Sequence, residues 1–181
     1  GFPKGDEAVQ LLTNAAESGL VNAMVDLGSQ PFHCPIVRAS NQSRLGSLRT
    51  GLYWLHKAAD LDERQALYEL GEAYRLVANA KANKLGPNFV LDCRDRILDL
   101  VKTETFDESE AEYRRRGNAF ILDAAKRGQV DAMRRYGVIC TTESSDLATR
   151  DVGWEWLQRA ADCGDAWAAH ELRERDRFKK P

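Results

Sequence analysis

An Ala-Ala pair recurs four times along the chain, at Ala15-Ala16, Ala58-Ala59, Ala124-Ala125 and Ala160-Ala161, and its surroundings recur with it. Seven positions before the first alanine stands a small residue: Ala8, Gly51, Gly117, Gly153. Four before is a bulky apolar one (Leu11, Trp54, Phe120, Trp156), and three before is Leu12, Leu55, Ile121 or Leu157. Four after comes Gly19, Asp62, Gly128 or Gly164, and eight after comes Ala23, Ala66, Ala132 or Ala168. Twelve after is Leu27, Leu70, Tyr136 or Leu172, and thirteen after is Gly28, Gly71, Gly137 and finally Arg173. So many coincident columns define a repeat, which governs any other reading of the chain.

The columns dictate local structure. Offsets of -7, -4, -3, 0 and +1 lie on one face of a helix of period 3.6. A residue at +4 that tolerates the left-handed conformation ends that helix. A second helix is expected from about +6, with small or apolar positions at +8 and +12. Alanines at 0, +1 and +8 let the two backbones approach. Each unit is then a helical hairpin that buries its apolar face by stacking on neighbours.

The pattern small-x2-bulky-Leu-x2-Ala-Ala-x2-Gly-x3-Ala-x3-Leu-Gly resembles the Sel-one-like repeat, a relative of the tetratricopeptide repeat. The resemblance covers about 6–28, 48–77, 112–140 and 147–174, and implies an all-α, α/α solenoid forming a single domain over 1–181. The last unit lacks the closing glycine and is surrounded by Glu171, Arg173, Glu174 and Arg175, as suits a solvent-facing cap.

Successive pairs are 43, 66 and 36 residues apart, so two insertions interrupt the repeat, at 29–47 and 80–111. The first contains Pro31 and Pro35 and reads as irregular, with Ser47 placed to cap the next helix. The second predicts an extra amphipathic helix after Pro87, with Val90, Cys93, Ile97, Leu100 and Val101 on one face. Residues 103–107 then link it to the third repeat. Such insertions fall on one side of a repeat protein, as a binding face or as passive spacers.

Chemistry is hard to find. There is no Gly-x-Ser-x-Gly, phosphate loop or His-Glu-x2-His, so no catalytic residues are assigned. His33, His56 and His170 stand in unrelated contexts, His56 on a polar helix position, and no metal-ligand spacing or cofactor motif is present. Cys140 and Cys163 close consecutive antiparallel helices, roughly 20 Å apart, beyond disulfide reach. Cys34 and Cys93, one in each insertion, form a disulfide if the insertions meet and are otherwise buried thiols. A net charge of -2 argues against nucleic acid as the main partner, and no stretch long enough to span a membrane is free of charge. Glu108, Glu110 and Glu112 suit a helix start, and Arg114-Arg115-Arg116 and Arg134-Arg135 read as a solvated face.

What remains is a surface for a protein partner. Tyr53, Trp154 and Trp167 fill columns that are mostly polar in the other repeats (Gln10, Asn118, Asn22, Gln65, Asp131), which marks them as interface anchors. For the two tryptophans, covering the open end of the repeat is the competing role. Trp54 and Trp156 belong to the core by their column. Phe32, Arg38, Arg94, Arg115 and Arg134 complete the expected contacts, arginine being favoured at interfaces.

The resemblance further implies bacterial proteins, among them small immunity proteins of the secretory pathway that neutralise phospholipase-type toxins of the type VI secretion system. Paired cysteines across each hairpin, found in some secreted members, are absent. The chain opens Gly1-Phe2-Pro3-Lys4 without methionine, compatible with removal of a signal peptide or lipid anchor or with a trimmed fragment. The expectation is a non-enzymatic, periplasmic toxin inhibitor. A cytoplasmic scaffold or regulatory adaptor is the main alternative, and a hydrolase with a site between the insertions the remotest.

Overall fold

The computed structural model describes residues 5–32, 47–85 and 91–178, with the side chains of 5, 6, 91–96 and 178 outside the description. All described regular structure is helical: α1 Gly5–Glu17, α2 Val21–Ser29, α3 Leu48–Asp60, α4 Arg64–Lys81, α5 Leu91–Thr103, α6 Glu110–Lys126, α7 Val130–Glu143, α8 Leu147–Asp162 and α9 Ala166–Phe178. The fold is all-α, as the periodicity predicts. The chain divides into two compact units, Gly1–Gly117 and Asn118–Pro181.

The helix limits follow the repeat. Each helix carrying an Ala-Ala pair ends two residues after the first alanine, and the next helix begins six after it. The turn between them has one chemistry throughout. The +4 residue is left-handed, with φ of 96° at Gly19, 87° at Gly128 and 93° at Gly164. Asp62 takes the same conformation at φ 66°, aspartate being one of the few side chains that tolerate it. The next amide reaches back to the carbonyl of the first alanine: Leu20 to Ala15 at 3.0 Å, Glu63 to Ala58 at 3.3 Å, Gln129 to Ala124 at 3.1 Å and Asp165 to Ala160 at 3.0 Å. The +4 amide bonds the carbonyl of the second alanine in all four turns. These are Schellman closures, which satisfy carbonyls that a helix end otherwise leaves open.

The glycine columns serve a purpose that the columns alone did not reveal. Gly28 of α2 lies against Gly51 of α3, Gly71 of α4 against Gly117 of α6, and Gly137 of α7 against Gly153 of α8. A Cβ on Gly51 would stand 2.7 Å from the Gly28 carbonyl oxygen, and one on Gly117 would stand 2.8 Å from that of Gly71. One on Gly153 would stand 2.8 Å from the Gly137 oxygen. The +13 residue of one repeat thus crosses the -7 residue of the next at backbone contact. Ala8 and Arg173 are the two members of these columns that are not glycine, and neither stands at one of these three crossings.

Apolar side chains close over these crossings. In the first unit Ala16, Ala23, Met24, Trp54, Ala58 and Ala66 form one buried cluster. In the second, Leu157, Ala160, Ala168 and Leu172 form another, with Val130, Met133 and Trp154 packed on it. Trp54 and Trp156 are core, as expected, the latter edge-on to Tyr136 with centroids 6.0 Å apart. Leu11, in the same column, is the exception at 61% exposed. Trp54 covers α2 residues of the preceding repeat, and among the described residues no helix precedes α1 for Leu11 to cover.

The expected extra helix is α5, packed on α4, with Ile97 and Val101 buried. Ser47 caps α3 as expected, accepting from the amides of Arg49 (3.1 Å) and Thr50 (3.3 Å). A second cap was not foreseen. The Glu104 carboxylate accepts from the amides of Leu48 (3.1 Å) and Arg49 (2.9 Å) and from the Ser47 hydroxyl (2.9 Å). The end of the second insertion is thereby anchored where a helix N-terminus favours negative charge.

The crossings make a discriminating prediction. A Cβ on Gly137 would lie 2.7 Å from Leu157 Cγ and 2.9 Å from the Gly153 oxygen. Gly137→Ala should therefore cost about 1–3 kcal/mol by urea denaturation. Arg173→Ala, in the same column without a crossing, should stay within about 0.5 kcal/mol of the parent.

Candidate functional site

The densest polar constellation lies in the first unit, where α3 and α4 meet the start of α6. His56 Nε2 is 2.9 Å from the hydroxyl of Tyr74 on α4. On α6, Arg116 pairs with Glu108 at 2.7 Å and Glu112 at 3.3 Å. Arg114 donates to Glu110 at 2.7 Å and to Asn79 of α4 at 3.0 Å. Tyr113 stacks on Tyr74 with centroids 6.0 Å apart and meets Phe106 edge-on. Lys81 donates to the Phe106 carbonyl and lies over the Tyr113 ring.

Electrostatics follow burial and pairing. Burial lowers the His56 pKa, with Arg116 adding to the effect against an opposing pull from Asp60. Burial raises Tyr74, so its hydroxyl keeps its proton. The hydrogen bond from Arg115 brings the Glu112 carboxyl down to about 2. In the second unit burial raises the Cys140 thiol, which disfavours the reactive thiolate. A neutral imidazole, a protonated phenol and paired carboxylates brace three helices together, and none of them is an activated nucleophile. Among the described residues no group of three or more His, Cys, Asp or Glu is arranged to hold a metal ion. No described helix is long and apolar enough to cross a membrane.

The described contact residues divide between the two units, with Phe32, Tyr53 and Arg115 in the first and Arg134, Trp154 and Trp167 in the second. Tyr53 stands out from α3, 54% exposed, edge-on to Trp54 at 5.2 Å. The Lys57 ammonium lies over both rings, 5.4 Å from the Tyr53 centroid and 5.1 Å from that of Trp54. Phe32, expected as a contact, is instead buried, because the space above Gly51 is filled by its ring. Arg115 is exposed and paired with Glu112 at 2.6 Å.

In the second unit Arg134 bridges Asp131 at 2.8 Å and Asp165 at 3.0 Å. Asp165 also caps α9 through the Ala168 amide. Arg134 therefore fastens α7 to the start of α9, two residues from Trp167, which is 45% exposed. Trp154 is half-buried on the core of this unit, under Arg175 at 5.1 Å. Cys140 is a buried free thiol and Cys163 an exposed one. Arg38 and Cys34 lie outside the described residues, as do the side chains of Arg94 and Cys93.

Two polar features were misjudged from sequence. His56 is not a solvent position but half-buried against Tyr74, and the arginine run is not wholly solvated, since Arg114 reaches Asn79 of α4. No local signal announces this, because the partners lie 18 or more residues apart.

The acidic first turn of α6 has a pH signature. The folded-state pKa of Glu112 is depressed, so its stabilising contribution is present above the ordinary carboxylate range and is lost as the pH falls towards about 2. A carboxylate-carbon NMR titration should show this midpoint, and Arg115→Ala should return it towards the usual value. A Glu112 midpoint already at the usual value in the parent contradicts the pairing. The chain has no match among known family models, curated proteins or solved structures.

Proposed function

We propose that the chain is a non-enzymatic protein-binding solenoid of four Sel-one-like hairpins, α1–α2, α3–α4, α6–α7 and α8–α9, with two insertions. The identical closure of four turns and the glycine crossings at matching columns support the repeat reading. The observation that carries the binding reading is Tyr53. A large aromatic left mostly exposed, and held by Trp54 and Lys57, is an ordered anchor that loses little freedom when a partner covers it. Trp167 gives the second unit an exposed aromatic of its own.

The partner we favour is a secreted antibacterial toxin of the phospholipase type, delivered by a type VI secretion system and neutralised in the periplasm. Inhibition is by occlusion. An interface of ordinary size buries about 800 Å² on each partner, enough to cover an active-site mouth.

The test is to capture the partner from the native cell and measure its release. Tyr53→Ala should weaken binding by about 2 kcal/mol, chiefly through faster dissociation, with an unchanged melting temperature. Recovery of a secreted lipase that the chain inhibits supports the toxin reading; recovery of cytoplasmic regulators alone removes it. Loss of thermal stability in Tyr53→Ala would place that residue in the scaffold and not at the interface.

A further inference from the structure

One line of α3 faces outward along the helix. Arg49, Tyr53, Lys57 and Leu61 recur every four positions, and all four are exposed. Residues four apart stand about 6 Å from one another along the axis and form a ridge, the feature by which helices commonly seat in one another's grooves. Leu61 continues the line because it follows the helix in a near-helical conformation, with φ -90° and ψ 18°. Tyr53 is 54% exposed and Leu61 56%, so a cation stands between two bare apolar side chains.

Lys57 gives the ridge its sign. The Tyr53 and Trp54 rings under its ammonium hold the cation in place without neutralising it. Among the described residues Lys57 makes no ion pair and no hydrogen bond. Asp60, the one acid of α3, is exposed and forms no ion pair with it. Glu63, in the turn beyond, accepts from the Gln65 amide at 3.1 Å. Arg49, at the other end of the line, donates to the carbonyls of Glu104 and Thr105. A partner that covers Tyr53 also covers the ammonium beside it. Taking an ammonium out of water is costly unless an opposite charge meets it. The partner must therefore bring a carboxylate to Lys57.

We propose that the Tyr53–Lys57–Leu61 ridge docks an acidic amphipathic helix of a protein partner, with a carboxylate set on Lys57 and apolar side chains one turn to either side against Tyr53 and Leu61. This deepens the binding reading of Tyr53 and rests on it, since it names what the partner presents to that residue. Tyr53 and Leu61 supply contact area, and Lys57 selects the sign of the charge between them.

The probes are two synthetic helical peptides that carry Leu-x3-Glu-x3-Leu or Leu-x3-Lys-x3-Leu and are otherwise identical, titrated into the full chain at low salt and followed by NMR. The glutamate peptide should bind at least about tenfold more tightly than the lysine peptide and should shift the amides of Tyr53, Lys57 and Leu61. Lys57→Glu should invert the preference, a result that an unfolded variant cannot give. Lys126→Glu, which changes an exposed cation of the other unit by the same charge, should leave the preference as it is in the parent. Equal binding of the two peptides, binding of neither, or an unchanged preference in Lys57→Glu would each overturn the acidic-helix site. The release experiment with Tyr53→Ala and the captured partner is independent of these peptides. If Tyr53→Ala speeds release while the peptides are not told apart, the binding surface stands and only its preference for an acidic helix falls.

Discussion

Backbone contact at the glycine crossings is the constraint on which the rest of the structure depends. At Gly28–Gly51, Gly71–Gly117 and Gly137–Gly153 the helices meet with no room for a Cβ. That proximity seats Leu55 against Gly28 and Leu157 against Gly137, and both leucines are fully buried. It also brings Trp54 over the alanines of the preceding helix pair. Dispersion is short-ranged, so a helix displaced by one methyl group would weaken many of these contacts together.

The turns and the crossings divide the work. The Schellman closures set where each helix stops and reverse the chain within three residues, at little cost because glycine or aspartate occupies the left-handed position. The crossings then decide which helix each pair meets next. The second insertion does not disturb this logic, because it is joined by charge. Glu104 caps α3, while Arg49 and Lys81 hold the carbonyls of the connecting segment. Charge-assisted bonds of this kind tie a segment down where the apolar face of one short helix would do so weakly.

Much of this was legible in the columns. The helix starts at +6, the left-handed residue at +4, the Ser47 cap and the extra helix α5 all follow from period and from residue chemistry acting over a few positions. The exposure of the candidate contacts was legible in part. Tyr53 and Trp167 were marked by being aromatic in polar columns, and both are exposed. Phe32 and Arg134 were chosen by residue type, yet one fills the space above a glycine and the other bridges two aspartates.

By itself the sequence determined the helices and their turns, because hydrogen bonds and backbone conformation between residues a few positions apart depend on local identity. Only the tertiary structure decided which side chains the helices cover. His56 became half-buried because Tyr74, 18 residues away, arrives beside it. Leu11 stayed exposed because no described helix lies before it. Burial depends on what another part of the chain brings near, and no periodicity within one helix encodes that.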